Sequence, residues 1–399
     1  MNILIVSQYY WPEGFLITGL AEELQQRGFT VTVLTGFPNY PNGKFFQGYR
    51  PWKGPLREER RGVKIIRLPI TPRGQNFFTL SINYISFVIS GCIFSFFTDF
   101  KKTDLIFCYA PSPATSCLTA VFLKWRLNKK LIFWVQDLWP ESLSAVGALS
   151  SSIVQKIVGR VICFIYRRCD KILISNEGFK ESVLNWGGHP EQIEFVPNWA
   201  DPFPAEIEPS DWVKALPKGF RIAFAGNLGK AQDLPNLVAA AEILKDRSDI
   251  KWIVVGDGSE KQWLEETVKN KNLQETIFVL DRKPYEQMLP FFKSADLLYV
   301  SLNNHPLFAL TVPAKVQAYM SAGKPILASL NGEGKRLIEK ARCGQTSQPE
   351  DPENLSQVVL SMKKLSESER EKMGQNGKDY FLKHFEKKKV IDRIESLIL

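Results

Sequence analysis

The sequence is 399 residues long, enough for two or three domains at about 150 residues each. With 44% hydrophobic and 23% charged residues it has the composition of a chain that buries a core, which excludes disorder. A core of this size needs neither disulfides nor a structural metal. The net charge of +9 is unevenly spread: residues 1–200 hold 22 Lys and Arg against 14 Asp and Glu, whereas residues 201–399 hold 29 against 28. A basic half of this kind faces a membrane surface, a nucleic acid or a phosphorylated substrate, or is simply a solvated surface.

The chain opens on Ile3–Val6, a buried strand with no basic leader or cleavage signal before it, so a cytoplasmic location is expected. A helical pattern at Gly19–Arg27 and strands at Thr30–Leu34 and Val63–Leu68 follow. Residues 74–98 carry no charge and are long enough to span a bilayer. Thr79, Asn83, Ser86 and Ser90 nevertheless recur at three- and four-residue steps, giving a helix with a narrow polar seam and a broad apolar face. The strands on either side must share one sheet, so the segment is expected to be buried in the fold or to lie in a membrane interface. Strands at Leu105–Cys108, Leu131–Val135, Lys171–Ser175 and Ile193–Val196 complete the first half. Continuous β-branched runs mark strands covered on both faces, the grammar of a doubly wound parallel sheet.

Residues 197–219 read as a linker, with Pro197, Pro202, Pro204, Pro209 and Pro217 among several acids. The alternation then restarts. Strands are predicted at Arg221–Ala225, Trp252–Val255, Ile277–Leu280, Leu297–Ser301 and Pro325–Ala328, and helices at Leu237–Lys245, Gln262–Lys271, Tyr285–Lys293 and Val312–Ala322. The expected architecture is α/β, with two Rossmann-like doubly wound domains facing each other across a cleft at residues 1–200 and 201–378. A Lys-rich amphipathic helix at 379–399 is expected to pack back toward the first domain. The six cysteines lack zinc-ribbon or redox spacing and read as buried thiols, and the three histidines lie far apart, which argues against a His-based zinc site.

Candidate chemistry sits where strands end. Gly226-Asn227-Leu228-Gly229-Lys230-Ala231-Gln232 follows one strand and Gly256-Asp257-Gly258 the next. Glycines there let backbone N–H groups approach a phosphate, with Lys230 to neutralise it, although a lone tight turn has the same look. Thr311-Val312-Pro313-Ala314-Lys315 opens a helix whose free N–H groups and Lys315 suit a diphosphate, or is a plain helix start. Trp134-Val135-Gln136-Asp137-Leu138-Trp139-Pro140-Glu141 offers carboxylates and stacking rings, fit for a sugar or for a capped core turn.

Taken together these segments resemble glycosyltransferase family 4 of the GT-B fold, and its WbuB-like branch in particular. The resemblance spans essentially the whole chain. It rests on Ser7-Gln8-Tyr9-Tyr10-Trp11-Pro12-Glu13, Phe37-Pro38-Asn39-Tyr40-Pro41-Asn42-Gly43, Asp137–Ser142, Val196–Trp199, Ala225–Gly229 with Gln232, Gly256–Gly258 and Pro313–Pro325. It implies a retaining transferase that takes a sugar, N-acetylated and deoxyamino sugars included, from a nucleotide diphosphate donor, with UDP the expected nucleotide. The acceptor implied is a polyprenyl-diphosphate-linked saccharide of O-antigen, capsule or exopolysaccharide synthesis. No metal or other cofactor is implied, and the place of work is the inner face of the cell membrane.

Carried onto this chain, the resemblance assigns donor binding to Gly14, Asn227, Gly229, Lys230, Gln232, Gly256, Gly258, Arg282, Thr311, Pro313 and Lys315, and assigns Asp137 and Glu13 to the sugar–acceptor junction as catalytic residues. Where many family members have two Glu, this sequence has Leu310 and Ala318. Asn227 and Gln232 replace the usual Arg and Lys, so Lys230 and Lys315 are the expected cations. An epimerase of the same fold and a non-catalytic membrane scaffold are the alternatives. Nucleic acid is set aside for want of a reader motif. Lys124, Arg126, Lys129, Lys130, Lys156, Arg160, Arg167 and Arg168 would draw the first domain to an anionic membrane surface at about 1 kcal/mol each.

Overall fold

The computed structural model describes residues 1–50, 53–74, 76–145, 152–203 and 208–399, so Pro204 of the expected linker lies outside the described residues. The chain divides into two compact units, one of Met1–Asn198 with Val390–Leu399 and one of Trp199–Lys389.

The first unit is built on eight strands: β1 (Asn2–Val6), β2 (Thr30–Gly36), β3 (Arg57–Arg60), β4 (Val63–Leu68), β5 (Leu105–Ala110), β6 (Lys130–Val135), β7 (Lys171–Ile174) and β8 (Ile193–Phe195). Their order is β3-β4-β2-β1-β5-β6-β7-β8, parallel except for β3, which runs antiparallel to β4. Every residue of β5 is buried, as expected of a strand covered on both faces. The unforeseen strand is β3, whose sequence Arg-Glu-Glu-Arg has no apolar signal. It is an edge strand, where charge blunts pairing with other chains.

Helix Phe77–Phe97 connects β4 to β5 and is long and apolar enough to cross a membrane by length and composition, with a mean hydropathy of 1.7 over Phe78–Phe97. The polar seam read from the sequence fastens it to the sheet. Asn83 accepts from Gln8 Nε2 at 2.7 Å and donates to Thr71 O at 2.5 Å. Ser86 Oγ accepts from Thr71 N at 3.0 Å, and Ser90 Oγ donates to Pro69 O at 2.5 Å. Phe87 is fully buried on this inner side. The outer side shows Phe78 at 72%, Ile85 at 56% and Ile89 at 53% exposure, with Ile82, Ile93, Phe96 and Phe97 exposed alongside them.

In the second unit, β9 (Phe220–Asn227), β10 (Ile250–Asp257), β11 (Ile277–Leu280), β12 (Leu297–Ser301), β13 (Ile326–Ser329) and β14 (Gly344–Ser347) form one parallel sheet in the order β11-β10-β9-β12-β13-β14. Alternate residues feed two cores, with Ala223, Ile253 and Val300 on one face and Phe224, Trp252 and Tyr299 on the other. The order reverses between β9 and β12, the position at which open α/β sheets bind ligands. Strand β14 (Gly-Gln-Thr-Ser) was also unforeseen; a Cβ at Gly344 would stand 1.9 Å from Ile326 O, so close strand approach replaces the missing apolar pattern.

The tail corrects the sequence reading. Residues 379–399 are not one helix but the end of helix Glu367–His384 and a separate helix Lys387–Ile398. Phe381 and Phe385 are buried in a core of the second unit and break the run. From Val390 onward the chain belongs to the first unit, where Arg27 donates to Asp392 at 2.7 Å and to Glu395 at 2.5 Å. The two faces of helix Phe77–Phe97 are expected to respond differently to mutation. In urea unfolding, Phe87→Ala should cost about 3–5 kcal/mol and Ile85→Ser no more than about 0.5 kcal/mol.

Candidate active site

The second unit gathers its candidate residues at the ends of β9 and β10. Gly226 ends the core of β9 with φ +134°, and a Cβ there would stand 2.7 Å from Lys315 Cε, so the missing side chain is the room that Lys315 occupies. A Cβ at Gly256 would stand 2.0 Å from Gly226 O, which lets β10 approach β9 at this point. The Asn227 amide lies across two glycines, 2.8 Å from where a Cβ would stand at Gly229 and at Gly258. Ser301 Oγ, at the end of β12, donates to Gln232 O at 2.5 Å, tying the β9 loop to the switch point.

Lys315 is the cation the structure brings to this loop. Its Nζ donates to Gln232 Oε1 at 2.6 Å and lies 3.6 Å from the centre of the Phe224 ring. Burial pulls its ammonium down to about 7. Lys315 is in the first turn of helix Ala314–Ala322, which Pro313 precedes and no side chain caps; Val316 N donates to Pro313 O at 2.9 Å, and the start of such a helix favours an anion. Thr311 is fixed by its hydroxyl donating to Phe308 O at 3.1 Å. Lys230 is exposed and borders a cavity of about 470 Å³ that also meets Asp233 and Glu350, an acidic neighbourhood unlike that of Lys315. Arg282 stands exposed just past β11, two strands or about 10 Å from β9.

In the first unit the expected catalytic carboxylates are both engaged by loop donors, Asp137 within its own loop and Glu13 mainly by the loop after β2. Glu13 is 4% exposed, and its oxygens accept from the backbone N–H groups of Asn39 and Tyr40 at 2.8 Å and of Tyr10 at 3.2 Å. Burial pushes its carboxyl up to about 7, against the pull of those donors. Asp137, past β6, accepts from the Ser142 hydroxyl and from Trp139 Nε1, and burial raises its carboxyl as well. As placed, both hold loops rather than present free oxygens. Gly14 is exposed, with open space where a Cβ would stand.

What joins these two loops is a residue that the sequence reading missed. Arg73 Nη1 donates to Tyr9 Oη at 2.9 Å and Tyr84 Oη at 3.2 Å, and Tyr84 packs edge-on against Trp139 at 6.2 Å between centroids. The available signal was position: Arg73 is the last charged residue before the uncharged stretch 74–98.

Two Rossmann-like units with parallel-sheet cores and loops at the strand ends are the architecture of the GT-B fold, and sequence comparison gives the activity that this chain builds on it. The chain is a GT-B glycosyltransferase of the family 4 type. Residues 16–199 match the glycosyl transferase 4-like domain and residues 207–380 match glycosyl transferases group 1. It is 28% identical over 286 residues to WbjE of Pseudomonas aeruginosa, named as a glycosyltransferase, covering 67% of this chain and 70% of that one. It is 22% identical to WcaI of Escherichia coli K12, named as a glycosyltransferase of colanic acid biosynthesis, over 81% of this chain and 82% of that one. Among solved structures, HepE of Anabaena in complex with UDP superposes with a TM-score of 0.69 at 14% identity, covering 100% of this chain and 99% of that one.

A Glu13→Gln variant tests the buried carboxylate. Because its folded value of about 7 exceeds the ordinary 4.5, the folded state holds this proton more tightly. That contribution is complete below the ordinary value and is lost as pH rises through about 7. The stability deficit of the variant relative to the native chain should therefore shrink by about 2–3 kcal/mol between pH 5 and pH 8 in urea titrations. A constant deficit would show that Glu13 does not change protonation.

Proposed function

We propose that the chain transfers a sugar, with retention of configuration, from a UDP-linked donor to a polyprenyl-diphosphate-linked saccharide in the assembly of an O-antigen, capsule or exopolysaccharide. The observation that carries this reading is Lys315: a half-buried amine with, among the described residues, no carboxylate partner, beside an uncapped helix start and two glycine-lined turns. The UDP complexes of HepE and the name of WcaI support the donor class and the biosynthetic setting. The finer placement within the WbuB-like branch is part of the same proposal.

In the proposed reaction the bond from the anomeric carbon to the diphosphate oxygen breaks, and the acceptor oxygen bonds to the same face of that carbon. The acceptor proton passes to the departing phosphate oxygen, so no dedicated base is needed. Lys315, Thr311, the N–H groups after Pro313 and the Asn227–Gln232 loop take the charge that develops on the diphosphate. Gly256, Gly258 and Arg282 border the nucleotide. Glu13 and Asp137 act as positioning residues that hold the loops of the acceptor side. The reading requires no metal or other cofactor.

The same reading places the first unit on the inner face of the membrane. Exposed apolar side chains lie on helix Phe77–Phe97 and on helix Ser152–Tyr166 (Ile153, Ile157 and Phe164), with Trp125 on helix Cys117–Leu127 between them in sequence. The Phe96 and Phe122 rings meet at 5.7 Å, and Leu118, Val121, Phe122, Trp125 and Phe164 line an open groove of about 490 Å³ with Lys124 and Arg168. An exposed apolar area mixed with cations suits an anionic bilayer surface.

Mass spectrometry of a UDP-sugar panel with diphosphate-linked saccharide lipids should detect transfer, and Lys315→Ala should lower turnover by about 10²–10³-fold with folding intact. Donor conversion without an acceptor would instead indicate an epimerase. Because the free amine titrates near 7, UDP binding at pH 8 should take up close to one proton, and affinity should fall as pH rises above about 7. Calorimetry in buffers of different ionisation enthalpy reads this directly, and Lys315→Met should abolish the uptake. Liposome sedimentation should show binding to anionic vesicles that weakens with salt, with little binding to neutral ones.

A further inference from the structure

We propose that Arg73 and the tyrosines around it bind the diphosphate of a long-chain alkyl diphosphate, with the alkyl chain running along the exposed stripe of helix Phe77–Phe97. The inference rests on the lipid-linked acceptor proposed above and adds where that lipid is held.

The guanidinium is positioned but not neutralised. One nitrogen, Nη1, donates to the Tyr9 and Tyr84 hydroxyls at 2.9 and 3.2 Å, and the group lies 5.2 Å from the centre of the Tyr40 ring. Among the described residues, no carboxylate pairs with Arg73, and its Nε and Nη2 donate to no protein atom. Three N–H bonds in one rigid fork are therefore free, and that fork matches two oxygens of a phosphate. Arg73 is half-buried rather than extended into solvent.

Its backbone is clamped as firmly as its side chain. Arg73 N donates to Asn39 Oδ1 at 2.8 Å, and Asn39 is buried with its own N–H held by Glu13. Gly43, at φ +72°, admits this approach, since a Cβ there would stand 1.9 Å from Arg73 O. Three segments, the loops after β1 and β2 and helix Phe77–Phe97, thus converge on one cation without a carboxylate partner among the described residues, the arrangement of a built anion site.

The neighbouring surface identifies the anion as an amphiphile. Tyr84 belongs to helix Phe77–Phe97, and Ile82, Ile85, Ile89 and Ile93 recur along its exposed side beginning within one turn of Tyr84. A turn rises about 5.4 Å, so a linear alkyl chain leaving a phosphate at Arg73 meets one of these side chains at each turn. A free nucleotide makes no use of such a stripe, and a neutral lipid leaves the cation unpaired.

Titration calorimetry on the full chain with geranylgeranyl diphosphate in non-ionic micelles tests the pairing of head and chain. Binding should be at least tenfold tighter than for geranylgeraniol, inorganic pyrophosphate or micelles carrying phosphatidylglycerol. Arg73→Gln should weaken it at least tenfold, Arg73→Lys should fall between, and Tyr84→Phe should weaken it less than Arg73→Gln. UDP affinity should stay within twofold of the native value in all three, which also controls for folding. Equal binding by native chain and Arg73→Gln, or equal binding of the alcohol or of phosphatidylglycerol, would overturn the inference. Absent geranylgeranyl diphosphate binding by a chain that still transfers sugar to a lipid-linked acceptor would overturn it while leaving the proposed function standing. Binding as expected with no transfer to any diphosphate lipid would remove the proposed acceptor, and with it the reading on which this site rests.

Discussion

Burying an ionisable carboxyl costs several kcal/mol unless its oxygens find donors, and Glu13 finds three in the backbone of two separate loops. Glu13 ties the loop after β1 to the loop after β2, alongside the ring contacts of Tyr40 with Tyr9 and Phe15. Asn39, so held, offers its carbonyl oxygen to the backbone of Arg73 and its amide to Phe37 O at 2.8 Å. Arg73 then reaches Tyr84 on helix Phe77–Phe97, and Tyr84 reaches Trp139 in the loop that contains Asp137. The segments at residues 7–13, 37–43 and 137–142 look independent in sequence. They are consecutive links of one chain of contacts that starts from a buried acid.

The second unit solves a related problem with a cation and with missing side chains. A lysine amine is held at the end of β9 because Gly226 vacates the volume that its stem fills, and the Phe224 ring gives the ammonium a partner that carries no charge. Burial softens the basicity of Lys315, and a carboxylate in place of Gln232 would offset it while competing with any phosphate for the charge. The amide oxygen of Gln232 orients the amine at much lower electrostatic cost.

The fold was legible wherever burial governed residue choice. Strands covered on both faces announce themselves as apolar runs, and β1, β5, β9 and β10 fall where those runs do. The elements that escaped were those chosen for other reasons. The charge of β3 follows from its place at the sheet edge, and β14 is polar because Gly344 lets it approach β13 closely. The break in the C-terminal helix depends on Phe381 and Phe385 entering a core, which a pattern of exposed lysines conceals. Within the site, glycines and Lys315 were readable because they sit at strand ends of recognisable grammar. Arg73 was not, because its importance comes from the hydroxyls of Tyr9 and Tyr84, one 64 residues before it and one 11 residues after it.

Helix Phe77–Phe97 shows why composition alone was ambiguous. An uncharged helix of this length satisfies the same hydropathy test whether it spans a bilayer, fills a core or lies on a surface. The deciding feature is the narrow row of Asn83, Ser86 and Ser90, which spends its hydrogen bonds on Gln8 and on the chain leaving β4. With β4 and β5 in one sheet, the two ends of the helix return to the same body, and the apolar residues opposite the seam are left exposed among the described residues. The basic excess of residues 1–200 meets this surface selectively. Lys124 is paired with Asp170, whereas Arg126 and Arg168 lie over the Phe96 and Phe164 rings, 4.8 and 3.6 Å from their centres. A guanidinium on an aromatic face keeps its charge available while its partner ring stays apolar. On the proposed membrane placement, such pairs would meet lipid headgroups and acyl chains together, and the ring-bound charge would count for more than the total.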